Sequence, residues 1–115
     1  MLETRDDVKI YAFLGKTNMN WGVHRLAGEA QAEVPGRPFT GDWYMFCGPG
    51  RKRIKIVYWE RNGFCLWQKR LERDKFPWPK KGSGVRELTR EECKMILRGI
   101  DIWKEHQSID YKKIF

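Results

Sequence analysis

Residues 53–72 read RIKIVYWERNGFCLWQKRLE, two strand-like runs on either side of Asn62-Gly63. β-branched and aromatic residues dominate both runs, as a pleated and half-buried strand requires. Asn-Gly tolerates the positive φ of a type I′ turn, so the spacing predicts a hairpin of 53–61 and 64–72 closed by Asn62-Gly63. That turn sets the register. Arg61 faces Phe64, Trp59 faces Leu66, Val57 faces Gln68 and Lys55 faces Arg70. One side of the ribbon then carries Ile54, Ile56, Tyr58, Trp67 and Leu71 and is expected to pack on a core. The other is mixed and sets two cations directly opposite one another, which is unfavourable in an antiparallel pair. Either a phosphate backbone lies across Lys55 and Arg70, or both side chains splay into solvent.

Charge extends this reading outward. Residues 51–81 hold 11 bases and 3 acids, and so the whole formal net charge of +8. An excess confined to 31 of 115 residues points to a polyanionic partner. Arg51, Lys52 and Arg53 enter the hairpin after the turn Gly48-Pro49-Gly50. Lys69, Arg70, Arg73 and Lys75 leave it. Phe76-Pro77-Trp78-Pro79-Lys80-Lys81 follows as an extended arm, because two prolines remove the donors a central strand needs. Trp78 either pins this arm to the core or contacts a ligand.

Upstream, 8–14 (VKIYAFL) alternates as a strand does. Thr17 or Asn18 is a candidate cap for a helix from Met19 to Val34, ended by Pro35-Gly36. Trp43 to Cys47 (WYMFC) is apolar on both faces and reads as a central strand. Downstream, Val85 to Leu88 is a short last strand. Thr89 and Glu92 form a capping box before a helix that buries Cys93, Ile96, Leu97 and Ile100. The expected fold is α+β: a small antiparallel sheet with a central Asn-Gly hairpin and two packed helices. Residues 1–102 make one domain, and 103–115 a tail that is flexible or docks on a partner.

The composition, 41% hydrophobic and 33% charged, fits a globular domain. No apolar run reaches the ~18 residues of a membrane span. The polar start MLETRDD lacks a signal-peptide pattern, so the expected location is cytoplasmic. Cys47, Cys65 and Cys93 are widely spaced and read as reduced thiols; no metal or cofactor is expected. No Walker loop, Gly-x-Gly-x-x-Gly, Gly-x-Ser-x-Gly, helix-turn-helix, zinc-finger or RNP pattern occurs, and no enzymatic role is expected.

From Phe39 to Asp101 the chain resembles the TnpB-type accessory protein, or second-open-reading-frame protein, of the insertion sequence sixty-six family of bacterial transposons. The match rests on Phe39-x-Gly41, Lys55-Ile56 with Trp59, Asn62-Gly63, Lys69-Arg70-Leu71-Glu72, Phe76-x-Trp78-Pro79, Leu88-Thr89 and Leu97-x-Gly99-Ile100-Asp101. Arg25-Leu26-Ala27-Gly28 looks like the family's N-terminal helix. Two positions depart from the pattern. Asn18-Met19-Asn20 stands where the family has Asp-Met-Arg, and Glu60 where it has Asp. The resemblance implies an accessory role in transposition beside a separate DDE-type transposase.

The residues and the resemblance together give three expectations. In the first, Arg51, Lys52, Arg53, Lys55, Lys69, Arg70, Arg73, Lys75, Lys80 and Lys81 hold DNA phosphates, at transposon ends or elsewhere, with Trp78 as a contact. Lys55→Ala with Arg70→Ala would then weaken binding and leave the fold intact. In the second, the protein is an adaptor between the transposase and the element's other accessory protein, anchored by Trp59, Phe64, Trp78 and Trp103. In the third, Trp59 and Phe64 stack on single-stranded bases. Oligomeric state is not encoded in any of these features.

Overall fold

The structure is a computed structural model that describes residues 7–34, 40–79 and 82–103. It contains strands β1 (Ile10–Phe13), β2 (Trp43–Cys47), β3 (Arg53–Glu60), β4 (Gly63–Arg70) and β5 (Val85–Leu88). Helices α1 (Val23–Glu33) and α2 (Arg90–Leu97) complete it. The strands form one sheet in the order β4-β3-β2-β1-β5.

The sheet is mixed, not antiparallel as expected. β1 and β2 run parallel, with Tyr11 opposite Tyr44, and every other pairing is antiparallel. Parallel neighbours need a crossover long enough to return to the same end of the sheet, and α1 with its flanking loops supplies it. The hairpin lies at the sheet's edge rather than its centre.

The hairpin also closes differently. Glu60 pairs with Gly63, Trp59 with Phe64, Val57 with Leu66, Lys55 with Gln68 and Arg53 with Arg70. The turn residues are therefore Arg61 and Asn62, with Gly63 inside β4. The left-handed φ falls on Arg61, at 54°. This register puts Trp59 against Phe64, edge to face at 5.0 Å, and aliphatic Val57 against Leu66. Such cross-strand pairs stabilise a ribbon, and they offset one strained residue. The slip is an even number of residues, so each side chain keeps its predicted face.

Both faces of the sheet are covered. On one, Leu26, Ala27 and Ala30 of α1 pack with Phe13, Tyr44, Phe46 and Val57. On the other, Cys93 and Ile96 of α2 pack with Ile10, Ala12, Met45, Ile54 and Ile56, and the arm adds Phe76 and Trp78. On the predicted open side of the hairpin Val57 and Phe64 thus pack into the α1-side core, while Leu66, Gln68 and Arg70 stay exposed.

α1 starts four residues later than predicted, with Gly22 as its N-cap and no side-chain cap. Asn18 to Trp21 is a turn instead, closed by the Trp21 N–H donating to the Asn18 carbonyl at 3.1 Å. α2 begins as predicted and buries Cys93 and Ile96, but it ends at Leu97, which is half-buried, and Ile100, expected in the buried stripe, lies beyond the helix and is 51% exposed. The Thr89 hydroxyl accepts from the Glu92 N–H at 3.0 Å, and the Glu92 carboxylate accepts from the Thr89 N–H at 2.9 Å.

Candidate nucleic-acid interface

Strand direction decides where the cations gather. Phe13 ends β1 beside Phe46 and Val85, Cys47 ends β2 beside Ile54, and Arg53 opens β3 beside Arg70. All five strands therefore have these termini at one rim of the sheet. The loop after β1 brings Lys16 there, the turn after β2 brings Arg51 and Lys52, and the hairpin's open end brings Arg53 and Arg70. Arg53 directly opposite Arg70 replaces the predicted Lys55–Arg70 pair. Two guanidiniums face each other across the ribbon, Arg70 exposed and Arg53 half-buried.

The turn is rigidly built. The Gly48 N–H donates to the Arg53 carbonyl at 3.1 Å, and the Arg51 N–H to the Gly48 carbonyl at 3.0 Å. Arg51 takes a left-handed φ of 58° to close it. The arm is laced to the same turn. The Leu71 N–H donates to the Lys52 carbonyl, and the Phe76 N–H to that of Arg51. Between those bonds Arg73 and Lys75 are exposed, alternating with exposed Glu72 and Asp74.

Several predicted site residues do other work. Lys55 is buried, at 7% exposure, and its ammonium donates to the Met19 carbonyl at 2.7 Å and the Trp21 carbonyl at 3.0 Å. It ties β3 to the loop before α1 and is withdrawn from the rim. Burial, with the Arg53 charge beside it, lowers its pKa. Lys69 is exposed and donates to the Leu97 carbonyl at 3.1 Å, bracing the end of α2. Trp78 is 4% exposed and packs in the core; its indole N–H has no acceptor among the described residues.

Trp103 meets Trp78 edge to face at 5.6 Å, donates to the Pro77 carbonyl and lies under the Arg86 guanidinium at 5.0 Å. It is half-buried and latches onto its own chain. Trp59 and Phe64 are half-buried against each other. Lys80, Lys81 and the tail beyond Trp103 lie outside the described residues.

Sequence reading missed Lys16, Asn18 and Asn20. They lie far from the basic stretch in sequence, and only the parallel pairing of β1 with β2 brings their loop beside it. The thiols of Cys47 and Cys93 are buried, and desolvation pushes each up to about 12, far from a nucleophile's or metal ligand's thiolate. Among the described residues no group of three His, Cys, Asp or Glu could hold a metal ion. No helix among them is long and apolar enough to cross a membrane.

The fold and the rim define a small α+β protein with a cationic sheet end. The family described as IS66 Orf2 like protein matches residues 8–107, and the chain belongs to that family. Its relatives include two from Sinorhizobium fredii. The chain is 30% identical to "Uncharacterized protein y4hO" over 107 residues, covering 93% of this chain and 92% of the relative. It is 28% identical to "Uncharacterized protein y4jC" over 80 residues, covering 70% and 68%. No solved structure matches. Membership implies an accessory role in transposition.

Proposed function

We propose that the protein serves transposition by binding DNA through the cationic rim of its sheet, alongside a separate transposase. The observation that carries this reading is Arg53 facing Arg70 at the hairpin's open end, with Arg51 and Lys52 in the adjoining turn. Like charges opposed across a ribbon cost stability unless an anion lies between them. The salt bridges at Arg25–Glu29, Arg86–Glu92 and Glu91–Lys94 involve none of these four cations.

Fluorescence anisotropy tests the proposal with three labelled probes: the element's terminal inverted repeat, a scrambled duplex and a single strand. Tight binding that weakens steeply with salt is expected. Arg53→Ala with Arg70→Ala should weaken it without lowering the melting temperature of the free protein. Preference for the repeat would mark an end-recognition factor, and equal binding to both duplexes an architectural helper. No binding at low salt would defeat the reading.

An adaptor role draws support from the outer edge of the sheet. β4 is an edge strand of eight residues, and Leu66 on it is 41% exposed. Edge strands offer unpaired backbone groups to a partner strand. Pull-down of purified transposase that persists after nuclease treatment would favour this second role.

A further inference from the structure

The rim holds a cleft that the hairpin does not account for. It lies between the loop after β1 and the turn after β2, has a volume of about 550 Å³, and is lined by Lys16, Asn18, Asn20, Lys52 and Arg53 among others. A smaller hollow of about 230 Å³ shares Lys16, Gly48 and Pro49 with it and adds Arg51. Among the described residues no carboxylate lines either one. That separates the cleft from the arm, where Glu72 and Asp74 offset Arg73 and Lys75.

The walls are fixed before any ligand arrives. The Thr17 N–H donates to the Cys47 carbonyl at 3.0 Å, joining the loop to the end of β2. Met19 lies so close to Gly48 that a Cβ there would sit 2.6 Å from the Met19 side chain. Lys55 holds the loop from below through the Met19 and Trp21 carbonyls. On the cleft side, the Asn18 carboxamide oxygen accepts from the Asn20 N–H at 2.8 Å. Its oxygen being engaged, the Asn18 NH₂ is left as a donor.

Fixed cations, an amide donor and no competing acid are what a phosphodiester requires. We infer that this cleft seats a backbone phosphate of the bound nucleic acid, with Lys16, Lys52 and Arg53 supplying charge and Asn18 a hydrogen bond. The inference rests on the proposed DNA binding and assigns it a second contact region. Arg53 belongs to both regions, lining the cleft and facing Arg70. A strand lying along the rim would pass from Lys16 across Arg53 to Arg70.

The test is the salt dependence of duplex binding by Lys16→Gln with Asn18→Asp. Both side chains are exposed. The new aspartate keeps the acceptor for the Asn20 N–H, while it removes the donor and adds a repelling charge. The log–log salt slope should fall by roughly 0.9 for the lost lysine contact, and Kd should rise several-fold. Lys16→Gln alone should show the same slope change, and serves if the double variant melts lower than the parent. Amide resonances of Gly48, Gly50 and Asn20 should shift when the duplex is added.

An unchanged slope and Kd, while Arg53→Ala with Arg70→Ala still weakens binding, would overturn the cleft and leave the DNA reading standing. Amide shifts with inorganic phosphate alone, without any effect of the variants on duplex binding, would also overturn it. If the parent binds no duplex at all, both readings fall together.

Discussion

A lysine ammonium carries three donors, and taking it out of water is costly unless acceptors replace the lost hydration. Lys55 has two such acceptors, both from the stretch before α1. This explains why the helix does not begin at Met19 as the sequence pattern predicts. The carbonyls of Met19 and Trp21 are held by a side chain of β3, and the chain between Asn18 and Trp21 turns. Alternation along β3 placed Lys55 on the correct face. It did not show that α1 covers that face, because the acceptors come from residues more than 30 positions away. Lys55→Met keeps the apolar stem and leaves both carbonyls without their partner. The expected loss is about 1–3 kcal/mol of stability, read as a lower urea midpoint. Because Lys55 holds the loop of the cleft but is itself buried, affinity can fall with the loosened loop, while the log–log salt slope of DNA binding, measured well below the transition, should stay at the parent's value. A smaller slope in a fully folded variant would return Lys55 to the binding surface.

Elements defined by local chemistry were legible in the sequence, and those defined by pairing were less so. α2 is announced by Thr89 and Glu92, whose spacing alone makes the two reciprocal bonds seen at its N-terminus. β2 and β5 carry their predicted bounds. The hairpin was legible as two strands and two faces, but its turn was displaced by one residue. Asn62-Gly63 suits a type I′ turn locally, whereas Trp59 against Phe64 and Val57 against Leu66 are gained only in the other register. The cost falls on Arg61, the first turn residue, whose left-handed φ is unfavourable for a side chain with a Cβ. Arg61→Gly removes that strain at a position where glycine is preferred. It should raise stability by roughly 0.5–1 kcal/mol in chemical denaturation, net of glycine's greater freedom when unfolded. A loss of stability would mean that the turn is not held as described.

At the scale of the whole molecule, one sheet is wrapped on both faces and left charged at one rim. The charge excess of residues 51–81 was legible in the sequence but its gathering at one rim was not, because Lys16 joins Arg51, Lys52 and Arg53 only through the parallel pairing of β1 with β2. Within the proposed DNA binding, the same wrapping favours a duplex over base stacking. Base stacking needs an open aromatic face, and each of the six tryptophans is already engaged within the chain. Trp43 and Trp78 are buried, and Trp103 packs on Trp78. Trp67 packs against the α2-side core and Trp21 against the α1 side, with the Arg25 guanidinium 4.1 Å from the Trp21 ring. Trp59 meets Phe64. Binding through the rim should therefore leave the indoles in their packed surroundings. Titration with a single-stranded oligonucleotide is expected to change tryptophan emission little, and the duplex should bind at least as tightly at equal salt. Strong quenching by the single strand, lost in Trp59→Leu, would show that this ring leaves Phe64 to stack on a base. The principal contact would then move from the cationic rim to the hairpin's tip.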